Sequence, residues 1–273
     1  SLQTQTCYDF EWIVVDDGST DGTQQEFKEI ISENTLFPIQ YIWKENGGKH
    51  TALNASHSHI YGKYVLMLDS DDRLHENAIE TVVQGWKAYE HNQSIGIVIF
   101  LKQLNDGTIV AEGVVERTPV DVLNNRIICN ITNDRCEVIR TELFLKYPFP
   151  VFPGERFLAE TALWYRAGID AKCVYINQPI YICEYHDNGL TKAGKQLRIK
   201  NCYGGMYTSY LRMNPRCAVK ERIKAGLLYI CYGRFAHIGY RKLISKADGC
   251  RALASLCVLP GTALYYYWKR KYL

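Results

Sequence analysis

Residues 12–22, WIVVDDGSTDG, and residues 64–72, YVLMLDSDD, decide the fold of this chain. Each is an apolar run that ends in acidic residues and turn formers. An uninterrupted aliphatic run followed by turn residues indicates a strand of a parallel sheet that is buried on both faces. Open parallel sheets bind ligands in the crevice beyond the carboxyl ends of their strands. Two such ends rich in aspartate predict a site for a ligand that offers hydroxyls, a base edge or a phosphate-bound cation.

Strand-like and helix-like segments alternate around these two runs. This alternation predicts an α/β fold with a doubly wound, mainly parallel sheet that carries helices on both faces. The turn Asn105-Asp106-Gly107 predicts a β-hairpin, at which the pairing becomes antiparallel. Strands are predicted at residues 9–16, 39–43, 64–68, 95–104, 108–115 and 174–185, and helices at 21–31, 51–61, 75–90, 133–147 and 156–167.

Composition restricts the class of protein. The 273 residues are 47% hydrophobic and 22% charged, as in an ordinary globular protein with a substantial core. A net charge of +3 is too small to indicate nucleic-acid binding, for which a clustered basic stripe is expected. The ten cysteines contain no C-x-x-C pair, which argues against a zinc site and favours a reduced, cytosolic setting. No signal peptide is visible, although the chain opens at Ser1 without an initiator methionine.

The last third of the chain, residues 195–273, is predicted to be a helical region that follows a first domain at 1–194. It contains an uncharged stretch, 252–268, before Lys269-Arg270-Lys271. The stretch is shorter than the ~20 residues that a spanning helix needs, and Pro260-Gly261 is expected to break it. Its aromatic cluster beside a basic tail favours peripheral contact with the cytoplasmic face of a membrane. The alternative is a helix that packs on the soluble domain.

The turn after the first strand is Asp16-Asp17-Gly18-Ser19. A carboxylate here can accept a hydrogen bond from a uracil imide or a ribose hydroxyl, and Gly18 lets the backbone turn sharply beside it. The alternative is a helix N-cap, a role that suits Asp21. A calcium loop of the EF-hand type is excluded, because its twelfth position would be Lys28 rather than a glutamate.

Asn46-Gly47-Gly48-Lys49 follows the strand predicted at 39–43. The two glycines permit close approach of the backbone to a ligand, and the Lys49 ammonium could offset phosphate charge. The segment lacks the Walker spacing, so on its own it is weak evidence for a phosphate loop.

Asp69-Ser70-Asp71-Asp72 is the sharpest chemical signal. Three carboxylates within four residues repel one another unless a cation or hydrogen-bond donors offset their charge. Mg²⁺ and Mn²⁺ bind through one or two carboxylates together with substrate phosphates. The loop therefore predicts a divalent-metal site, and a polar turn before the next helix is the alternative.

Glu155 and Glu160 stand near the start of a predicted helix, after a loop rich in proline and glycine. A carboxylate held there could remove a proton from an acceptor hydroxyl. Both residues could equally be solvated helix charges, and spacing alone does not choose between these interpretations.

Taken together, these segments resemble the family 2 glycosyltransferases of the GT-A fold. The matching pieces are the first strand with its acidic turn, the Asn-Gly-Gly-Lys segment, and the strand that leads into Asp-Ser-Asp-Asp. Residues 154–160 (GERFLAE) and 185–191 (YHDNGLT) are similar to a subgroup linked to bacterial surface polysaccharides. The resemblance covers roughly residues 9–200.

The resemblance implies a role for each of these segments. Asp17 would contact the nucleotide base, and Asp69 would lie near the ribose or the sugar. A divalent metal, Mn²⁺ or Mg²⁺, would be held by Asp71, with Asp69 as a further ligand. His186 would be a further ligand of the metal or of the diphosphate, and a structural histidine is the alternative. Glu160 falls at the position of the catalytic base, and Glu155 is the alternative. The remaining residues implied in nucleotide-sugar binding are Gly18, Ser19, Asn46, Gly47, Gly48, Lys49, Asn54 and Ser70.

The implied activity is transfer of a sugar from a nucleoside diphosphate donor, with UDP as the expected nucleotide, to an acceptor hydroxyl. The resemblance also implies inversion at the anomeric carbon. It further implies a saccharide or lipid-linked acceptor in surface polysaccharide synthesis. Members of the family open with a strand–helix unit, and about thirty residues of such a unit are missing before Ser1. The chain is therefore expected to be a fragment or a truncated product. Alternatives are a non-catalytic nucleotide-binding remnant or partner subunit, and a nucleotidyltransferase.

Overall fold

A computed structural model describes residues 1–111, 114–123, 134–184 and 190–273, the last range with side chains from residue 194 onward. The chain divides into two compact units. Unit 1 comprises residues 1–46, 51–148 and 167–185, and unit 2 comprises residues 47–50, 149–166 and 186–273. The helical region predicted from residue 195 lies in unit 2, and a domain boundary at 194/195 stays a prediction.

The order of strands and helices confirms the α/β class with a helical C-terminal region. The strands in the described ranges are β1 (Trp12–Asp16), β2 (Ile39–Trp43), β3 (Tyr64–Leu66), β4 (Arg73–Leu74), β5 (Ile95–Leu104), β6 (Val120–Asp121), β7 (Cys136–Arg140) and β8 (Lys172–Cys183). The helices are α1 (Thr23–Glu33), α2 (Lys49–Ser56), α3 (Ala78–Lys87), α4 (Thr141–Lys146), α5 (Thr161–Asp170), α6 (Leu190–Lys200), α7 (Cys202–Arg212), α8 (Val219–Phe235), α9 (Tyr240–Lys246), α10 (Arg251–Leu256) and α11 (Val258–Tyr272).

Unit 1 contains two sheets. β1 and β2 pair in parallel, with Trp12 opposite Ile39 and Asp16 opposite Trp43, so the segments that follow them leave the sheet at the same edge. The other sheet has the order β3-β7-β5-β8-β4, and β6 also pairs with β8. Its longest ladder, β5 with β8, is parallel, whereas β7 is antiparallel to both β3 and β5. Antiparallel pairing is thus more extensive in this sheet than the strand–helix alternation alone predicts.

The core of unit 1 lies around β5. Residues 95–101 of this strand are all buried, as expected for a continuous aliphatic run in the middle of a sheet. Helix α3 packs Ala78, Val82 and Trp86 into the same core. The turn predicted after β5 is confirmed, because the Leu104 N–H donates to the Thr108 carbonyl at 2.8 Å and Gln103 bridges Ile109 in antiparallel register. The strand predicted at 108–115 is wrong, because the described residues of that range form this isolated bridge and no strand.

The helix predicted for 133–147 is wrong over its first half. Residues Cys136–Arg140 form strand β7, and α4 begins only at Thr141. Neighbouring strands on both sides bury Val138 and Ile139, and β-branched side chains fit such a pleated surface. Arg140 is buried as well, and its Nε donates to the Ile95 carbonyl at 2.8 Å. The helix predicted at 156–167 begins later, at Thr161.

Unit 2 has a helical core centred on α8, in which Tyr229, Ile230 and Cys231 are buried. Helix α11 packs closely on α8, because a Cβ at Gly261 would lie only 2.7 Å from Cβ of Ile230. The break expected at Pro260-Gly261 is wrong. Pro260 stands in the first turn of α11, where a helix does not need its missing N–H, and the interruption falls at Cys257.

Helix α11 presents two different faces. Tyr265 and Trp268 are buried in the core of unit 2, whereas Leu259, Tyr266 and Tyr267 are exposed. The predicted aromatic cluster is therefore split between the core and the surface. Within the described ranges, no helix combines the length and the apolar character that crossing a membrane requires.

Every cysteine in the described ranges is a free thiol, and all of them except Cys7 are buried. Burial raises the pKa of Cys136 and of Cys231 to about 12, so both thiols stay protonated near neutral pH. In such surroundings a thiol packs as a small hydrophobic side chain.

Candidate functional site

The acidic turn after β1 begins with a structural carboxylate. Asp16 is buried, and its side chain accepts hydrogen bonds from the Tyr41 hydroxyl and, at 2.7 Å, from the Ser19 N–H. Burial alone would raise the pKa of Asp16, but these hydrogen bonds outweigh it and hold the pKa below its usual value. Burial and the Asp16 contact also raise the pKa of Tyr41 to about 12. Asp16 thus ties the turn to β2.

Asp17, the residue predicted to contact the nucleotide base, forms an ion pair with Lys44. Its Oδ1 lies 2.6 Å from Lys44 Nζ, and both side chains are largely buried. Lys44 directly follows β2, and its Nζ also donates to Thr51 Oγ1 at 2.9 Å. Lys44 was not among the predicted site residues. The signal that could have found it is its place at the end of β2, beside the end of β1.

Gly18 and Asn46 hold the same turn in shape. Gly18 has φ +90°, and a Cβ there would lie 2.8 Å from the Asn46 backbone nitrogen. Asn46 Nδ2 donates to the Asp17 carbonyl at 2.8 Å. Residues predicted from two separate motifs therefore meet in unit 1, and the glycine is required by both the backbone conformation and the close contact.

The Asp69-Ser70-Asp71-Asp72 loop is fixed to β8. Asp72 accepts a hydrogen bond from the Tyr181 hydroxyl at 2.7 Å through one oxygen and from the Glu184 N–H at 3.1 Å through the other. The Asp69 N–H donates to the same Tyr181 hydroxyl at 3.0 Å. Burial, followed by the charges of Asp69 and Asp72, raises the pKa of Tyr181, so its hydroxyl keeps the proton that it donates. Asp72 therefore has a structural role, because both of its carboxylate oxygens accept hydrogen bonds from β8 and the residue after it.

The donor set of this loop fits a hard divalent cation. Asp69 is half-buried and Asp71 is exposed, and both offer carboxylate oxygens. Among the described residues, no group of three or more His, Cys, Asp or Glu side chains is arranged to hold a metal ion. Magnesium commonly takes only one or two protein carboxylates and completes its shell with water and substrate phosphates. His186, the third predicted ligand, lies outside the described residues.

Gly48 lies against the loop that precedes Glu160. Its φ is +90°, and a Cβ at this position would lie 1.8 Å from the Arg156 carbonyl oxygen. Next to it, Lys49 Nζ lies 2.5 Å from Glu160 Oε1. The Asn-Gly-Gly-Lys segment and the segment with the predicted base are thus brought together in unit 2.

Glu155 and Glu160 have different surroundings. Glu155 is buried, and its carboxylate accepts hydrogen bonds from the N–H groups of Tyr203 at 2.7 Å and Gly204 at 2.8 Å, in the first turn of α7. A carboxylate is favoured there by the unpaired amides of the helix N-terminus. Glu160 precedes α5, and about a third of its side chain is exposed. Only Glu160 has the accessibility that a base acting on a substrate hydroxyl needs.

Asn201 completes the arrangement around Glu155. Its Oδ1 accepts hydrogen bonds from the backbone N–H groups of Arg156 and Phe157 at 3.0 and 3.1 Å. Its Nδ2 donates to the Leu197 carbonyl at 2.8 Å. Sequence reasoning missed this residue, because nothing near Asn201 in the sequence signals a partner 45 residues away.

The other predicted residues have simpler surroundings. Ser19 and Ser70 are exposed at the tips of their turns, and Asn54 is half-buried in α2. Asp21, predicted as a helix cap, accepts a hydrogen bond from the Thr23 hydroxyl at 2.5 Å, and Gly22 stands at the N-cap position of α1.

Residues 1–139 match the model of glycosyl transferase family 2. The glycosyltransferase GlyA of Streptococcus pneumoniae is 34% identical over 96 residues, which are 35% of this chain and 14% of GlyA. The chondroitin synthase of Pasteurella multocida is 32% identical over 115 residues, which are 41% of this chain and 11% of the synthase. The chain thus spans only a small part of the length of these relatives.

The fold is similar to that of residues 1–349 of S. aureus TarS, in its crystal structure with UDP-GlcNAc. The TM-score is 0.59 at 16% identity, and the likeness covers 99% of this chain and 86% of the TarS chain. At this identity the likeness concerns the fold alone. It confirms the predicted GT-A-like architecture with its helical C-terminal region.

Proposed function

This chain belongs to glycosyl transferase family 2, and from that membership we propose that it transfers a sugar from a UDP-linked donor to an acceptor hydroxyl. The observation that carries the choice of donor is the turn at Asp17, where a carboxylate and the Asn46 side chain stand at the ends of β1 and β2. Carboxylate and amide groups suit the imide of uracil and the hydroxyls of ribose. The UDP-GlcNAc in the TarS crystal structure supports the same choice.

The proposal includes a divalent ion, Mg²⁺ or Mn²⁺, at the acidic loop. Asp71 would be the main ligand and Asp69 the second, since both oxygens of Asp72 are used by Tyr181 and Glu184. The chemistry supplied by such an ion, when bound, is neutralisation of the negative charge on the departing diphosphate.

Glu160 is the proposed base, and Glu155 is assigned a structural role. Glu160 takes the proton of the acceptor hydroxyl while that oxygen attacks the anomeric carbon. The bond from the anomeric carbon to the diphosphate oxygen breaks on the opposite side, so the configuration is inverted and UDP leaves. The burial of Glu155 against α7 supports this division of roles.

We propose a saccharide acceptor, free or lipid-linked, in the synthesis of a surface polysaccharide. The similarity to a protein named chondroitin synthase supports a saccharide. The exposed side of α10 and α11 supports contact with an anionic membrane surface. Leu256 and Leu259 are 78% and 83% exposed there, and residues 249–273 contain four basic residues and no acidic one.

Nucleotide binding and turnover can be tested separately. Thermal-shift titration with UDP and Mn²⁺ should raise the unfolding temperature of this chain, and no shift would contradict the proposal. A second assay offers UDP-, GDP- and dTDP-linked sugars with saccharide acceptors and measures the nucleotide released. We expect acceptor-dependent release of UDP and a product of inverted configuration by NMR. Binding without release would favour a nucleotide-binding subunit. Release of pyrophosphate when UTP and a sugar 1-phosphate are supplied instead would favour a nucleotidyltransferase.

A further inference from the structure

We propose that Tyr181 is a positioning residue for the acidic loop. Its hydroxyl would hold residues 69–72 in the conformation in which Asp71 meets the metal and the donor diphosphate. The inference rests on the proposed function of that loop, and it adds a residue that no motif indicates.

The contacts of Tyr181 close the loop at both ends. One phenolic oxygen accepts a hydrogen bond from the Asp69 N–H at 3.0 Å and donates one to Asp72 Oδ2 at 2.7 Å. The loop is also closed internally, because the Asp72 N–H donates to the Asp69 carbonyl at 3.1 Å. The internal bond fixes the shape of the turn, whereas the Tyr181 bonds fix its place on the sheet.

The tyrosine under the loop lies on an interior strand of the sheet. Tyr181 is 1% exposed and lies in β8, where it pairs with Leu74 of β4 on one side and Lys102 of β5 on the other. Lys102 Nζ lies 4.0 Å from the centre of the Tyr181 ring, which adds a cation–π contact. A side chain fixed by two neighbouring strands holds its hydroxyl more firmly than a loop residue would.

The same contacts explain how the loop carries three carboxylates. Asp72 receives one hydrogen bond from Tyr181 and one from the Glu184 backbone, so its charge is offset by the fold. Without the hydroxyl, the Asp72 carboxylate would lose a hydrogen-bond donor, and the Asp69 N–H would lose its acceptor. The loop would then have to reorder before Asp71 could bind a cation, and reordering weakens binding.

Tyr181→Phe tests the proposal, because it removes the hydroxyl and keeps the ring. We expect the affinity for UDP in the presence of Mn²⁺ to fall about 10-fold, which corresponds to about 1.4 kcal/mol. The affinity for UDP in EDTA should change much less. Isothermal titration measures both values, and unchanged affinity with Mn²⁺ would overturn the proposal.

Tyr229→Phe is the matched control. The Tyr229 hydroxyl is also buried and donates to the Leu243 carbonyl at 2.8 Å, in the helical core of unit 2. We expect Tyr229→Phe to lower the unfolding temperature without changing the Mn²⁺-dependent affinity. Equal loss of affinity in both variants would mean that Tyr181 acts only through general stability.

Two further measurements separate this proposal from the proposed function. Asp72→Asn should weaken Mn²⁺-dependent binding as Tyr181→Phe does, and the double variant should be little worse than either, since both variants weaken the same Tyr181–Asp72 hydrogen bond. Hydrogen exchange of the Asp69 amide should be faster in Tyr181→Phe without any ligand. Unchanged exchange would overturn the positioning role. A parent protein that fails to bind UDP with Mn²⁺ would instead overturn the proposed function.

Discussion

Lys49 Nζ lies 2.5 Å from Glu160 Oε1, so the cation predicted to meet the donor phosphates contacts the carboxylate proposed as the base. The two side chains are 39% and 35% exposed, which leaves both within reach of a ligand. The ion pair holds the Glu160 carboxylate beside the Lys49 ammonium. A surface pair of this kind contributes little to stability.

Glu160→Gln tests the base directly. In the full-length protein, turnover should fall at least ~100-fold, because an amide cannot accept the acceptor proton. Donor affinity should change little, since Glu160 is not proposed to bind the nucleotide. UDP-release rates and UDP titrations measure the two effects. Near-normal turnover would contradict the assignment.

Glu155→Gln should instead destabilise the protein. The Glu155 carboxylate accepts two N–H groups at the start of α7, and an amide offers them one oxygen. We expect the free energy of unfolding to fall by about 1–3 kcal/mol, measured by chemical denaturation. Lost turnover with unchanged stability would transfer the role of base to Glu155.

Asp71→Asn should abolish the Mn²⁺ dependence of UDP binding. An amide cannot supply the anionic oxygen that a hard cation prefers. Titration of UDP with Mn²⁺ and with EDTA measures the difference. Asp248→Asn, the same change at an exposed aspartate of unit 2, is the control and should keep the metal dependence. An Asp71→Asn protein that responds to Mn²⁺ like the parent would exclude Asp71 as a ligand.

Gly48→Ala should be far more damaging than Gly154→Ala. Both glycines have positive φ, but a Cβ at Gly48 would lie 1.8 Å from the Arg156 carbonyl oxygen, whereas a Cβ at Gly154 would have open space. Positive φ alone costs an alanine about 1–2 kcal/mol. We expect that loss at Gly154 and about 3 kcal/mol or more at Gly48, because the clash adds to the strain. Similar unfolding temperatures for the two variants would argue against the close contact.

The exposed side of α10 and α11 can be tested without disturbing the core. Deleting residues 252–273 would remove Tyr265 and Trp268 from the interior of unit 2, so substitutions are the better probe. Leu256→Ser with Leu259→Ser, and separately glutamine at the three basic positions 269–271, should each weaken co-sedimentation with anionic liposomes roughly 10-fold.

Only the variant with the three glutamines should also lose the salt sensitivity of that binding, because salt screens the charged contacts. Leu36→Ser, at a partly exposed leucine of unit 1, is the control. Unfolding temperatures should stay close to that of the parent in all variants. Unchanged sedimentation of both sets would remove the membrane contact from the proposal.

Local sequence predicted the strands that end in the two acidic turns, and it failed where distant partners decide the structure. β1 and β3 are apolar runs, so their strand character can be predicted without knowing their neighbours. β7 mixes Glu137 and Arg140 with apolar residues. Its conformation depends on pairing to β3 and β5. It also depends on backbone carbonyl groups, up to 51 residues away in the sequence, that accept hydrogen bonds from the buried Arg140 side chain.

The same distinction holds for the candidate site. Asp17, Asp71 and Glu160 stand in motifs that a sequence displays. The residues that support these segments belong to no such motif. Tyr181 lies 109 positions from its partner Asp72, and Asn201 lies 45 positions from its partner Arg156. A tyrosine in an apolar strand and an asparagine before a helix have many ordinary explanations, and only the folded chain distinguishes their partners.

The hydrogen bonds of Glu155 and Asn201 restrict how this chain could be recombined with its relatives. The Glu155 carboxylate accepts a hydrogen bond from a backbone N–H at the start of α7. In turn, Asn201 Oδ1 accepts hydrogen bonds from the backbone N–H groups of Arg156 and Phe157. A chimera joined at residue 194 would take residues 155–157 from one parent and their hydrogen-bond partners at 201–204 from the other. We therefore expect working chimeras when residues 149–166 are exchanged together with the helical region, and misfolded ones when they are left behind.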